Sequence, residues 1–325
     1  MNMNPVRLLK TALLSACVLV CGAAFAANPL LPKTIKIIVP FSAGGSNDLF
    51  ARAIGRSLAI RNGIVVIIDN RPGAGGAMGA EAVARADPDG ATLLLTSVSF
   101  STNASIQPKL PYDPLKSFEP VSVVAKGAMI LVVGNTTPYK STADLIAAAK
   151  KPDNMLSYGS AGVGSIGQMA TELLNAQAGV NTLHIPYKGI NNAVTDMLGG
   201  NIQMMITTPA SISAQLKARK VRAIAVTSQK RSKFYPELPA LSEVVPGYAV
   251  EAWWGLLAPA KTPKALIEAL NQEIRAITDQ PEMRAMFEQE GAEPTTMSPA
   301  EFSAYLKEEF VKWKEIVRVR NILPG

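Results

Sequence analysis

The stretches Pro40–Asp48 (PFSAGGSND) and Tyr158–Gly167 (YGSAGVGSIG) decide how the rest of the chain is read. Each follows a short apolar run, Ile35–Val39 in the first case and Met155–Tyr158 in the second, and each precedes a segment with helical spacing of its apolar residues. A glycine-rich turn from a strand into a helix leaves the first helical N–H groups without intrahelical acceptors, and the helix dipole adds positive character there. Two such turns in different parts of one chain predict an anion gripped from two sides. In the first turn, Gly44 and Gly45 permit close backbone approach, Ser42 and Ser46 add hydroxyl donors, and Ser46 or Asn47 is placed to cap the helix. Ser160 and Ser165 add hydroxyls to the second.

Outward from these loops, strand and helix signals alternate. Ile35–Val39, Ile64–Asp69, Thr92–Thr96 and Val121–Val124 read as strands, with helices at Asn47–Ile60 and Met78–Ala86 between them. A second series, Met129–Val133, Met155–Tyr158, Leu183–Ile185, Ile202–Ile206 and Val221–Val226, carries helices near Ser141–Lys150, Gly167–Gln177 and Ala193–Leu198. After the proline-rich stretch Tyr235–Pro246, one more strand, Ala252–Leu257, is followed almost only by helices. Thr262 and Pro263 read as an N-cap and first turn, and Ser298-Pro299-Ala300-Glu301 has capping-box spacing. The predicted fold class is α/β, with a mainly parallel sheet flanked by helices formed twice.

Ahead of these elements, Arg7 and Lys10 precede an apolar run that ends in Ala24-Phe25-Ala26, the pattern of a cleavable signal peptide over residues 1–26. The run is shorter than the roughly 20 residues of a membrane-spanning helix. Export with cleavage near Ala26 is therefore expected. Leu14-Ser15-Ala16-Cys17 has the look of a lipoprotein cleavage site, but a cut there leaves too short an apolar core. Both cysteines, Cys17 and Cys21, fall in the leader, which removes disulfides and thiolate chemistry from the exported part. Arg7 and Lys10 also supply two of the formal net charge of +7. The remaining basic residues are scattered and not interleaved with aromatics, which reads as solvated surface and not as a nucleic-acid face. Roughly 300 residues then remain, enough to favour two domains.

Catalytic and metal-binding patterns are sparse. His184 is the only histidine, lies in an apolar strand, and has neither a GxSxG elbow nor an Asp-rich calcium loop to accompany it. No catalytic residue and no metal site are expected. Gly162–Gly167 is a literal GxGxxG between a strand and a helix, yet the next strand, Thr182–Tyr187, offers no acidic residue for a ribose. No cofactor is expected, and a dinucleotide-dependent oxidoreductase is the weaker alternative. Asp48, four residues before Arg52, is accounted for by the helix dipole and an ion pair. Asn70–Gly76 (NRPGAGG) is a third strand-to-helix turn, open to a place beside the cleft or to a plain structural role.

Taken together, Ile38–Phe41 with Gly44, Gly45 and Asp48–Arg52, then Asn70–Gly76, Ala86–Gly90, Leu110–Asp113, Tyr158–Ser165, His184–Gly189, Thr195–Gly200, Val221–Ser228 and Trp254–Pro259 with Pro263 resemble the extracytoplasmic solute receptors of the tripartite tricarboxylate transporter family, also called Bug receptors. The resemblance runs nearly the length of the exported chain. It implies a two-domain periplasmic-binding-protein fold, with 27–128 and 252–325 in one domain, 129–251 in the other, and a ligand in the cleft between them. It also implies a monomeric periplasmic protein that makes and breaks no bond, with a small carboxylate as ligand and the membrane components of a transporter as partner. An exported sensor subunit of the same fold is the alternative. By this resemblance the ligand contacts are Phe41, Ser42, Gly45, Ser46, Asn47 and Ser97 from the first domain, and Ser160, Ala161, Gly164, Ser165, Ile166 and Thr207 from the second. Gln168-Met169 stands where many relatives carry His-Leu, and Thr207-Thr208 where an aspartate is common. Threonine supplies no charge for a ligand ammonium, which leaves a mono- or dicarboxylate, aliphatic or aromatic.

Overall fold

The computed structural model describes residues 28–153 and 155–324. The leader, its cysteines and the expected cleavage at Ala26 lie outside the described residues. Strand β1 (Thr34–Val39) leads into helix α1 (Ser46–Asn62), β2 (Val65–Asn70) into α2 (Ala77–Ala84), and β3 (Thr92–Ser97) into α3 (Ser99–Ile106). Then β4 (Phe118–Ala128) passes through Met129 directly into β5 (Ile130–Gly134). There follow α4 (Thr142–Ala149), β6 (Ser157–Ser160), α5 (Ile166–Ala178), β7 (Leu183–Pro186), α6 (Ile190–Leu198), β8 (Met204–Thr207), α7 (Pro209–Lys217) and β9 (Val221–Val226). The chain closes with β10 (Glu251–Pro259), α8 (Lys264–Thr278), α9 (Pro281–Gln289), β11 (Ala292–Pro294) and α10 (Pro299–Arg320).

These elements form two sheets, ordered β11-β4-β10-β3-β1-β2 and β7-β6-β8-β5-β9, each with its helices making one lobe. The alternation read from the sequence is present, but the sheets are mixed and not mainly parallel. Parallel pairing holds for β1 with β2 and β3, and for β6 with β7 and β8. Antiparallel pairing holds for β10 with β3 and β4, β11 with β4, and β5 with β8 and β9. The cause lies in how the chain changes lobe. Parallel neighbours need a crossover helix between them, whereas β4–β5 runs from one sheet into the other with no helix to turn it. The return, from β9 to β10, lies alongside: the Met129 N–H donates to the Thr227 hydroxyl at 2.8 Å, and the Thr227 N–H donates to the Met129 carbonyl at 2.9 Å.

Burial explains the strand sequences. β1 is flanked on both edges, and Ile35, Ile37, Ile38 and Val39 are all buried, so a near-continuous apolar run stands where an exposed sheet would alternate. The capping box of α10 is present, with the Ser298 hydroxyl accepting from the Glu301 N–H. Thr262 is not the cap of α8. Its hydroxyl donates to the Pro259 carbonyl at 2.8 Å, and the helix begins one residue later because Pro263 keeps an extended ψ of 134°. On α10, the buried Glu309 accepts from both indoles, Trp253 at 3.2 Å and Trp313 at 2.9 Å. The far end of the same helix reaches the other lobe, where Arg320 pairs with Glu172 on α5 at 2.7 Å. Glu172 also accepts from the Tyr158 hydroxyl at 2.6 Å.

Candidate ligand-binding cleft

Among the described residues, five helices begin at one cavity of about 290 Å³ between the sheets. Helix α1 brings Gly45, Ser46 and Asn47, with Phe41 from the preceding loop; α3 brings Ser97, Val98 and Ser99. From the second lobe, α5 brings Ala161, Ser165, Ile166 and Gly167, α6 brings Ile190, and α7 brings Thr207, Thr208 and Ser211. Met129, Ile206, Ala252 and Trp254 complete the wall. Among the described residues, no charged side chain lines it. Each helix start carries about half a positive charge in its free N–H groups, so the cavity attracts an anion without any cation of its own. The apolar remainder suits the hydrocarbon part of such a ligand.

The first loop is held from behind. Asp48 is buried and accepts from the Gly44 N–H at 2.9 Å, from Arg52 Nε at 3.0 Å and from the Asn70 amide at 3.0 Å. The Asn70 amide also donates to the Phe41 carbonyl at 3.1 Å, which ties the third glycine turn to the first. Burial works to raise the Asp48 pKa, but the hydrogen bonds from Arg52, Gly44 and Asn70 and the Arg52 charge outweigh it and hold the carboxyl below its ordinary value. The expected side-chain cap by Ser46 or Asn47 is absent. Gly45 is the N-cap, in extended conformation, and the Ser46 hydroxyl donates to Glu290 instead.

The second loop depends on a chain of polarity. Gln168 Oε1 accepts from the Gly164 N–H at 2.7 Å, which leaves its amide nitrogen to donate to His184 Nδ1 at 3.2 Å. His184 then carries its proton on Nε2 and donates it to the Ser160 hydroxyl oxygen at 2.7 Å. Burial lowers the His184 pKa against the opposing charge of Glu172, and this keeps the ring neutral. In this polarity the ring cannot take a proton from Ser160, so the Ser–His pair has no nucleophilic character. Ser160 is buried on the far side of the loop, bonded to His184 and Gly162, and outside the cavity wall. Replacing Ser160 with alanine is expected to change ligand affinity by less than about threefold and to cost about 1 kcal/mol of stability; a calorimetric titration beside a denaturant melt reads both.

Of the residues predicted as contacts, Phe41, Gly45, Ser46, Asn47, Ser97, Ala161, Ser165, Ile166 and Thr207 lie together around the cavity, while Ser42, Ser160 and Gly164 do not. Ser42 is exposed. Gly164 serves the contact between lobes: its carbonyl accepts from the Thr102 hydroxyl at 2.8 Å, and an added Cβ would stand 2.3 Å from Asn103 Oδ1. The sequence marks Ser97 and Thr207 at the starts of α3 and α7 but gives no sign of Val98, Ser99, Ile190 or Ser211 beside them. Thr208 followed by Pro209 was the available signal for α7, an N-cap position with proline at the first helical residue.

Comparison with known proteins follows the same direction. A family described as "Tripartite tricarboxylate transporter family receptor" matches residues 50–322. The structure is similar to that of R. palustris Rpa4515 with adipate, at 32% identity and a TM-score of 0.80, covering 90% of this chain and 98% of that one. It is similar to the periplasmic binding protein BugD at 33% identity and a TM-score of 0.77, covering 90% and 99%. It is similar to MatC of Rhodopseudomonas palustris with bound malate at 30% identity and a TM-score of 0.76, covering 87% and 98%.

Proposed function

We propose that this chain, which belongs to the tripartite tricarboxylate transporter receptor family, captures a small organic carboxylate in the periplasm and presents it to the membrane components of such a transporter. The observation that carries this reading is the convergence of five helix starts on a cavity with no charged side chain in its described wall. The relatives' adipate and malate support a carboxylate. A mono- or dicarboxylate, aliphatic or aromatic, is favoured over an amino acid, because Thr207 and Thr208 give an ammonium no countercharge. Residues 27–128 with 252–325 act as one domain and 129–251 as the other, and closure buries the ligand between them. Removal of the leader near Ala26 releases the receptor as a monomer. A sensor subunit would bind the same way and differ in partner.

The GxGxxG loop gives no support to a nucleotide. The Gly164 amide is taken by Gln168 and the space before it by Asn103, which leaves no cradle for a pyrophosphate. A thermal-shift comparison of adipate, malate, benzoate, glutamate and NAD separates the readings. A fitting carboxylate at a hundred times its Kd adds about 2.7 kcal/mol, or roughly 4 °C in a protein of this size. Stabilisation by NAD alone overturns the receptor reading.

A further inference from the structure

Glu290 stands behind the cavity wall, in the corner between α9 and β11. It is buried, although its residue type belongs in water. One carboxyl oxygen accepts from the Ser46 hydroxyl, and the other, Oε2, is buried with no hydrogen-bond partner. At the adjoining Gly291 an added Cβ would meet Pro209 at 2.8 Å and Tyr235 at 3.2 Å, so this corner of the first lobe is packed against the second. Thr208, the N-cap of α7, bonds to the Ser211 hydroxyl at 2.9 Å, and its own hydroxyl lies close enough to Glu290 to favour the charged form. The two hydroxyls beside the carboxyl, Ser46 and Thr208, thus line the cavity from opposite lobes.

We propose that Glu290 is a proton-linked clasp between the lobes: protonated, it holds Ser46 beside the start of α7 and favours closure on the ligand; ionised, it resists closure. A buried carboxylate with an unpartnered oxygen is costly, and the same group regains water when the corner opens. Burial pushes the Glu290 carboxyl up, against the opposing influence of Ser46 and Thr208, and that burial exists while the corner is shut. A group with a raised pKa in the closed form favours closure fully below its open-form pKa and ceases to do so as pH rises through its closed-form value. The surrounding titratable groups do not replace it. Tyr235 is held protonated by burial, with Glu237 and Glu290 adding to the effect. On α1, Asp48 is occupied by Arg52, Asn70 and Gly44; on β11, Glu293 pairs with Lys233.

The clasp rests on the cavity being the ligand site, and the test keeps the two apart. Ile60 and Leu183 are exposed, one on each lobe, so Ile60→Cys with Leu183→Cys gives a pair of spin-label sites in protein produced from Ala27 onward. Interlobe distances are measured between pH 5.5 and 8, first without ligand. The closed-to-open ratio is expected to rise as pH falls, by up to about tenfold per unit between the two pKa values. In Glu290→Gln, which keeps the acceptor for Ser46 and mimics the neutral acid, the ratio should be high and flat; in Glu290→Asp a slope should return. A flat wild-type profile, or a slope that survives Glu290→Gln, overturns the clasp. Adipate is then added: its affinity should follow the same slope in wild type and lose it in Glu290→Gln. Adipate, malate and benzoate all failing to move the distances while the unliganded slope persists would sink the ligand reading and leave the clasp standing.

Discussion

Replacing Gly164 with valine weakens carboxylate binding on the order of 100-fold, about 2.8 kcal/mol, while each lobe stays folded. Gly164 sits at a φ of +81°, and its added Cβ would lie 2.3 Å from Asn103 Oδ1 and 3.3 Å from the Ile106 side chain. Asn103 has little freedom to move aside, because its amide donates to the Gly75 carbonyl at 2.7 Å. Two costs arise, and they differ in kind. The left-handed backbone costs a β-branched residue roughly 1–2 kcal/mol in any state of the protein. On the proposed closure, the overlap with α3 arises where the two lobes meet, so it falls on the closed form and shifts the population away from it. Titration with the carboxylate that best stabilises the wild type, paired with a thermal melt, reads the two effects separately. Unchanged affinity in a folded variant would falsify the placement of Gly164 at the closing contact.

Asp48→Ala is expected to lower stability by about 3 kcal/mol and to weaken binding as well, because the first loop loses its anchor. The carboxylate is 4% exposed, whereas Arg52 is 52% exposed and regains water when its partner is removed. The lasting loss is the acceptor for the Gly44 N–H and one of the two bonds of the Asn70 amide, which together set the shape of this part-buried loop. Its pH dependence has a definite sign. The Asp48 pKa is depressed in the folded chain, so its contribution is present above the ordinary carboxylate value of about 3.9 and is lost as pH falls through the lower folded value. The stability gap between wild type and Asp48→Ala, measured by urea unfolding, should therefore be constant near neutrality and shrink below about pH 4. A gap that widens in acid contradicts this account of the loop.

Much of the fold could be read from the chain because the signals are local. The run Ile35–Val39 followed by Gly44 and Gly45 announces a buried strand and a sharp turn wherever it occurs. Strand direction is not local. Nothing within Phe118–Ala128 says that it pairs antiparallel with β10, since that follows from the strand continuing into the other lobe. Helix α3, reading SFSTNASI, has poor intrinsic propensity and is maintained by the burial of Phe100, Ala104 and Ile106. The cavity was therefore legible as two glycine jaws but not as five helix starts. The place of Ser160 and Gly164 outside the cavity wall was not legible for a related reason: a hydroxyl and a glycine in such a loop carry the same letters whether they face a cavity or the scaffold.

Met129 joins β4 to β5, is hydrogen-bonded to Thr227 at the start of the return from β9 to β10, and also forms part of the cavity wall. If the proposed closure turns on this joint, fulcrum and floor are one residue. A rotation about that point grows in proportion to distance, so an adjustment of a fraction of an ångström where the ligand rests becomes a shift several times larger at the tips of the lobes. In the proposed receptor, a membrane partner touching only those tips would read occupancy from the outline of the protein.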